Sequence, residues 1–402
     1  MSGAEATSAS PAPVVPVFEG YPRWSQPSEP YATFPKVTLH DHLDGSLRPE
    51  TLIELAGRQG VTLPYDDPEK LTKWFTGEIT VPTIENWDEK FGLTTRAMQT
   101  EESIVRVARE WVLEAAADGV VYGETRWAPE KHILGGLPLR VAVEAVAAGL
   151  AEGEALVAAA GGSIRARQLI CGMRTSTLSY EIARLVVDTY GEWGGSVAGF
   201  DLAGAEDGFP VRHHLDATTL LEREGIPFTI HTGEADGEHS VWETVHLAHA
   251  LRLGHGVRVI EDVTLDGRPL GVRTAVRDVA AARAAGPASL RLGRTAQWVV
   301  DRRIPLEVCV TSNAGGVVDG VANHPIDLLR ELGFTVTVNP DNRGMSTTSI
   351  SAEMRTIEAE FGWGPEEFAE AEFAAVEAAF LSRREREALH DTVEAGVESF
   401  VR

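Results

Sequence analysis

Cysteine is nearly missing from this chain: two residues in 402, Cys171 and Cys309, with no C-x-x-C spacing. That count excludes a disulfide framework and a cysteine-ligated zinc module. It fits a reducing compartment, and the cytoplasm is the expected setting. Positive charge is also scarce. Lys and Arg number 36 against 60 Asp and Glu, for a net charge of −24, so phosphate backbones and anionic lipid surfaces are repelled. Nucleic acid and membrane surfaces are therefore not expected partners. No apolar run approaches the roughly 18–20 residues of a membrane span. The first 30 residues are rich in Ala, Ser and Pro but lack the basic start and apolar core of a secretory signal, and they read as a flexible tail.

What the chain has in quantity is core-forming material. Hydrophobic residues make up 43% and charged residues 24%, the profile of a soluble globular protein with a large interior. The length suits two average domains or one large barrel. Eight short β-prone runs decide between them, at residues 37–42, 120–126, 164–171, 197–202, 228–231, 251–255, 306–310 and 335–339. Segments of helical period separate them, among them 101–116, 140–159, 179–190, 216–224, 241–250 and 325–332. This alternation predicts an α/β fold, a (β/α)8 TIM-type barrel, with residues 31–402 as a single domain.

Two segments interrupt the alternation. Residues 61–98 predict extra helices after the first strand and carry Trp74, Phe75, Trp87 and Phe91. Packing of these aromatics in a small core of their own is favoured over contact with a ligand. Residues 261–303 form an insertion between the sixth and seventh runs, and from Ser351 onward helices close the chain.

In such barrels chemistry sits at the C-terminal ends of the strands. The first run ends in His40-Asp-His42, whose i, i+2 spacing turns both imidazoles to one face of a strand. The fifth ends at His231 with Glu234 three residues on, the sixth at His255 between glycines, and the eighth at Asp341. A lone strand histidine is usually structural. Here four of twelve histidines fall at three strand ends, which is difficult to reconcile with structural roles alone. His213, His214, His246, His249 and His390 lie on or beside helices and read as structural, with His246 and His249 sharing one helix at i, i+3.

His40, His42, His231 and Asp341 make a nitrogen-rich set with one carboxylate, suited to zinc and tolerant of cobalt or iron. Such a site lowers the pKa of a water from about 16 toward about 7. His255 and Glu234 are left for proton handling, the first by orienting or deprotonating that water, the second by protonating a nitrogen.

On these residues the chain resembles the adenosine deaminase family of the metal-dependent amidohydrolase superfamily. The segments that carry the resemblance are Pro35-Lys-Val-Thr-Leu-His-Asp-His-Leu-Asp-Gly45, Phe200-Asp-Leu-Ala-Gly204, His231-Thr-Gly-Glu234, Leu253-Gly-His-Gly256, Thr311-Ser-Asn313 and Val338-Asn-Pro-Asp341. The resemblance implies a (β/α)8 barrel holding one zinc ion and hydrolytic removal of the 6-amino group of a purine nucleoside, adenosine or 2′-deoxyadenosine. Carried over, His40, His42, His231 and Asp341 bind zinc, and Asp341 also hydrogen-bonds the water. His255 is its base or electrostatic partner, and Glu234 protonates ring N1. The backbone N–H of Gly204 meets N3 and Asp44 meets the ribose hydroxyls.

Strand four contains no lysine to bridge a second metal, which favours one ion. Asn342 stands where many members carry aspartate; it serves equally as an N7 contact or as a turn former. Pro340 stands where the family commonly has threonine and removes an N–H beside the ligand. Deamination of free adenine or of a modified purine nucleoside is the neighbouring reading, and Asp44 argues against the free base. A catalytically silent purine-binding barrel has no need of Glu234 or His255. Cytidine-type zinc deaminases are excluded, because their Pro-Cys-x-x-Cys ligands are absent.

Overall fold

The structure is a computed structural model and describes residues 30–78, 87–273, 275–285 and 289–402. The expected tail lies, save for its last residue, outside the described residues. Eight parallel strands follow one another around the sheet: β1 (Lys36–His42), β2 (Val120–Trp127), β3 (Arg165–Met173), β4 (Val197–Ala203), β5 (Phe228–Thr232), β6 (Arg252–His255), β7 (Leu306–Val308) and β8 (Val336–Val338). Each matches one predicted run. Helices between consecutive strands cover the outer face, giving the (β/α)8 barrel.

The closing seam matters most for the site. Between β1 and β8 regular pairing is replaced by an isolated bridge, Asp41 to Asp341. There His42 N–H donates to the Asp341 carbonyl at 2.8 Å and Asp341 N–H to the His40 carbonyl at 3.1 Å. Just below, the Asn339 side-chain oxygen accepts the N–H groups of Leu39 (2.8 Å) and His40 (3.0 Å), standing in for a backbone carbonyl. Closure at the C-terminal end therefore brings the last strand's aspartate against the first strand's histidines.

The outward faces of the strands and the helices share one large apolar core, with a smaller cluster in which Val37, Leu39 and Val121 pack against the C-terminal helices. The barrel interior is instead charged: Glu124, Arg126, Asp201, Arg252 and Glu307 are all essentially inaccessible to water. Arg126 bonds Asp201 (3.0 Å) and Glu307 (2.7 Å), and Arg252 bonds Glu307 (2.7 Å) and Glu124 (2.6 Å).

Two expectations are corrected, and the insertion adds structure that was not foretold. The segment 61–98 does form helices, Pro68–Phe75 and Trp87–Ala97, but Leu71, Trp74, Phe75 and Leu93 join the main core and not a separate one. These helices lie over the barrel mouth, so Phe75 and Phe91 also line the cleft there; the Trp87 side chain lies outside the described residues. The helix expected at 241–250 is Glu238–His246, and it stops before His249, which takes a left-handed φ of 57° and bonds Glu222 at 2.8 Å. The insertion holds a small antiparallel sheet, Val263–Leu265 flanked by Arg268–Pro269 and Leu290–Leu292, besides the helices Ala275–Ala285 and Arg294–Asp301.

Candidate active site

His40 and His42 lie on one face of β1, with ring centroids 5.4 Å apart. His231 meets them from β5, its Nε2 3.1 Å from His42 Nε2. Gly254 on β6 makes room for this, since a Cβ there would sit 2.9 Å from His231 Cα and 3.3 Å from His40 Cε1. Asp341 Oδ1 completes the group, 3.4 Å from His40 Nε2 and 3.3 Å from His42 Nε2. Its own backbone is left-handed, φ 61°, as is that of His255, also φ 61°. Two non-glycine residues in that region at two strand ends mark a place where local strain is held by the surrounding fold.

Carboxylates behind the histidines set which nitrogen faces the cleft. Glu307 Oε2 lies 3.0 Å from His40 Nδ1 and Asp201 Oδ2 lies 2.9 Å from His231 Nδ1, so each Nδ1 carries a proton and each Nε2 keeps its lone pair. His40 Nε2 and Asp341 Oδ1 are buried without a hydrogen-bond partner. Two such atoms side by side are costly unless something sits between them. Three imidazoles and one carboxylate are a zinc-type donor set. The residues fit a zinc-like ion. Cys309 also nears His40 and His255, but burial pushes its thiol far up, away from the thiolate form.

Glu234 and His255 face each other beside this group, with Oε1 3.4 Å from Nε2. Glu234 keeps 31% of its side-chain surface open to the cleft, yet it lies deep in the protein. Burial first, then the charges of Asp341 and Glu206, push its carboxyl up to about 8, so it holds a proton at neutral pH. Burial and the neighbouring His40 hold His255 well below the ordinary histidine range, as a neutral ring. A relay fixes its tautomer. Ile326 N–H donates to His324 Nδ1 (3.1 Å), His324 Nε2 to Asn313 Oδ1 (3.2 Å), and Asn313 Nδ2 to His255 Nδ1 (3.1 Å). The remaining proton of His255 therefore sits on Nε2, aimed into the cleft.

The cleft has a volume of about 780 Å3 and takes in His42, Asp44, Phe91, Gly204, Glu234 and Asn342. Asp44 is buried, with Oδ2 3.2 Å from His132 Nε2, while its Oδ1 has no partner. Gly204, at the end of β4, has φ 94°, and a Cβ would meet Met173 Cε at 2.8 Å; glycine keeps its peptide open to a ligand. Asn342 stands at the N-cap of the short helix Arg343–Ser346 without a side-chain capping bond, and its buried Oδ1 is unpartnered. A larger groove, about 1320 Å3, opens at the other end of the strands and contains none of these residues.

The candidate metal, catalytic and substrate-binding residues named from the sequence thus gather around one cleft. Sequence reading missed Asp201, Glu307, Arg126, Asn313, His132 and Glu206. Asp201 and Asn313 lay inside the quoted motifs, and a carboxylate within an apolar strand run was the signal for Asp201 and Glu307.

A hydrolase barrel with a histidine-rich ligand set at its C-terminal mouth is the class that this fold and site define. A family profile described as Adenosine deaminase matches residues 35–396. An adenosine deaminase of Mycobacterium sp. (strain KMS) is 43% identical over 361 residues, 89% of this chain and 94% of that protein. The chain belongs to the adenosine deaminase family and is an aminohydrolase. Two solved structures share the fold: an adenine deaminase from Arthrobacter aurescens (24% identity, TM-score 0.70, 90% of this chain and 99% of that one) and a zinc-bound amidohydrolase from Burkhoderia ambifaria (19%, 0.73, 96% and 97%).

Proposed function

We propose that the chain, with residues 31–402 as one catalytic domain, hydrolyses the 6-amino group of adenosine or 2′-deoxyadenosine, giving inosine or 2′-deoxyinosine and ammonia. Zinc is the ion proposed for His40, His42, His231 and Asp341, one per chain. When bound, it supplies Lewis acidity that makes hydroxide accessible near neutral pH.

The observation that carries the reading is Glu234 facing His255 Nε2 at 3.4 Å beside the ligand set, in surroundings that favour the protonated carboxyl. An aromatic amidine resists attack at C6 until N1 gains a proton, and Glu234 holds that proton. Asp341, besides its place in the ligand set, accepts a hydrogen bond from the attacking oxygen, while the Ser312 hydroxyl donates to Oδ2 at 2.6 Å. His255 enters as a donor through Nε2, placing that oxygen and favouring its negative charge, which supports the electrostatic role over that of base. As the tetrahedral centre collapses, the proton released by the attacking oxygen passes to the amino nitrogen, which leaves as ammonia, and the C6 hydroxyl proton returns to Glu234 as the carbonyl forms. At the other end of the cleft, Asp44 Oδ1 offers an acceptor to a sugar hydroxyl, Gly204 N–H meets N3, and Asn342 faces N7.

The partner is thus a small purine nucleoside. Two free, buried cysteines suit a reducing compartment such as the cytoplasm; among the described residues no helix is long and apolar enough to cross a membrane. A panel of adenosine, 2′-deoxyadenosine, adenine, AMP and N6-modified adenosines, followed by ultraviolet change and ammonia release, tests the proposal. Adenosine or 2′-deoxyadenosine should give the highest kcat/KM; faster turnover of adenine or of an N6-modified nucleoside would refute it.

A further inference from the structure

Glu206 lies in the loop after β4, almost fully buried. Its two carboxylate oxygens accept four consecutive backbone N–H groups: Gly233 to Oε1 at 2.6 Å, and Glu234, Ala235 and Asp236 to Oε2 at 3.0, 2.8 and 3.0 Å. Those amides belong to an irregular turn between β5 and the helix Glu238–His246 and pair with neither element. Successive amides pointing to one side form a nest for an anion, and here the protein fills it with its own carboxylate. Charge-assisted bonds of this length are among the stronger ones available to a backbone.

The second residue of the clamped turn is Glu234. Two residues before Glu206 is Gly204, whose peptide opens on the same cleft. One side chain therefore ties together the two loops proposed to meet N1 and N3 of a bound purine. We infer that Glu206 is a positioning residue, which holds the turn 233–236 against the β4 loop so that the Glu234 carboxyl stays within reach of ring N1 while Gly204 reaches N3. The inference rests on the reading of Glu234 as the acid. After burial and Asp341, the charge of Glu206 also favours the protonated form of Glu234.

Glu206→Gln, Glu234→Gln and the double variant, each loaded with zinc, test it through kcat, KM and amide hydrogen exchange. Glutamine keeps one acceptor oxygen and turns an NH2 group toward the amides, so the clamp is lost. In Glu206→Gln, kcat should fall about 10–100-fold with zinc content and KM near wild type, because a displacement of about 1 Å costs that much in a positioned acid. Exchange at amides 233–236 should quicken while that of the β-strands does not. Placed on top of Glu234→Gln, Glu206→Gln should cost less than about twofold more, since two residues acting through one group are not additive.

Multiplicative losses in the double variant, or an unchanged kcat in Glu206→Gln, would overturn the inference. If Glu206→Gln does not fold, Glu206→Asp serves, its carboxylate withdrawn by one methylene; wild-type kcat there would overturn the inference equally. Full activity of Glu234→Gln would instead remove the acid itself, and this inference with it.

Discussion

The barrel contains two polar regions stacked along its axis, and they obey opposite rules. In the lower one every carboxylate oxygen of Asp201, Glu307 and Glu124 has a donor: Arg126, Arg252, a histidine Nδ1, Tyr122 or the Phe380 N–H. In the upper one His40 Nε2, Asp341 Oδ1, Asp44 Oδ1 and Asn342 Oδ1 are buried and unpartnered. Buried polar atoms without partners are rare in folded proteins. These four lie where a ligand in the cleft would meet them, while the partnered carboxylates below hold the imidazoles of His40 and His231 in place.

The contrast breaks most sharply in the upper region. Glu234→Gln should lower kcat by about 10²–10⁴-fold, the usual worth of a positioned acid, with zinc content and denaturation midpoint near wild type. A kcat unchanged in that variant, measured on adenosine, would take Glu234 out of the chemistry. The lower region should respond in stability instead. Arg126→Met strands Asp201 and Glu307, and the expected loss is about 3–5 kcal/mol in a urea titration of the zinc-loaded protein. A loss below about 1 kcal/mol would mean that the network is not the scaffold proposed here.

A finer test lies in pH. Glu234 is protonated below about 8 and loses its proton as pH rises through that value, so kcat/KM should decline above it by about tenfold per pH unit. A flat profile to pH 10 would contradict an acid at this position. The smallest expected effect is at the sugar end. Asp44→Ala should weaken kcat/KM for adenosine by about tenfold while leaving adenine within about twofold, the scale of one lost charged hydrogen bond. Equal losses on both substrates would show that Asp44 does not read the ribose.

The two regions were also unequally legible beforehand. The upper residues announce themselves because strand period and strand ends are local properties: His40 and His42 share a face by spacing, and His231, His255 and Asp341 each end an apolar run. Glu307 and Arg126 sit 181 residues apart, and no periodicity links them. The aromatics of 61–98 misled for a related reason, since composition marks Phe75 and Phe91 as buried but not what they are buried against. The small sheet of the insertion was missed because strands of two or three residues carry too little pattern to register.

What depends on residue type and on the two-residue or helical repeat was determined by the sequence: eight strands, and the candidate ligand histidines and candidate acid at their ends. The fold itself decided what depends on ring closure: that Asp341 meets His40 across the seam, that a relay from Ile326 puts the proton of His255 on Nε2, and that Glu206 grips the turn of Glu234. These contacts join residues far apart in the chain, and they exist only once the first and last strands have been brought side by side.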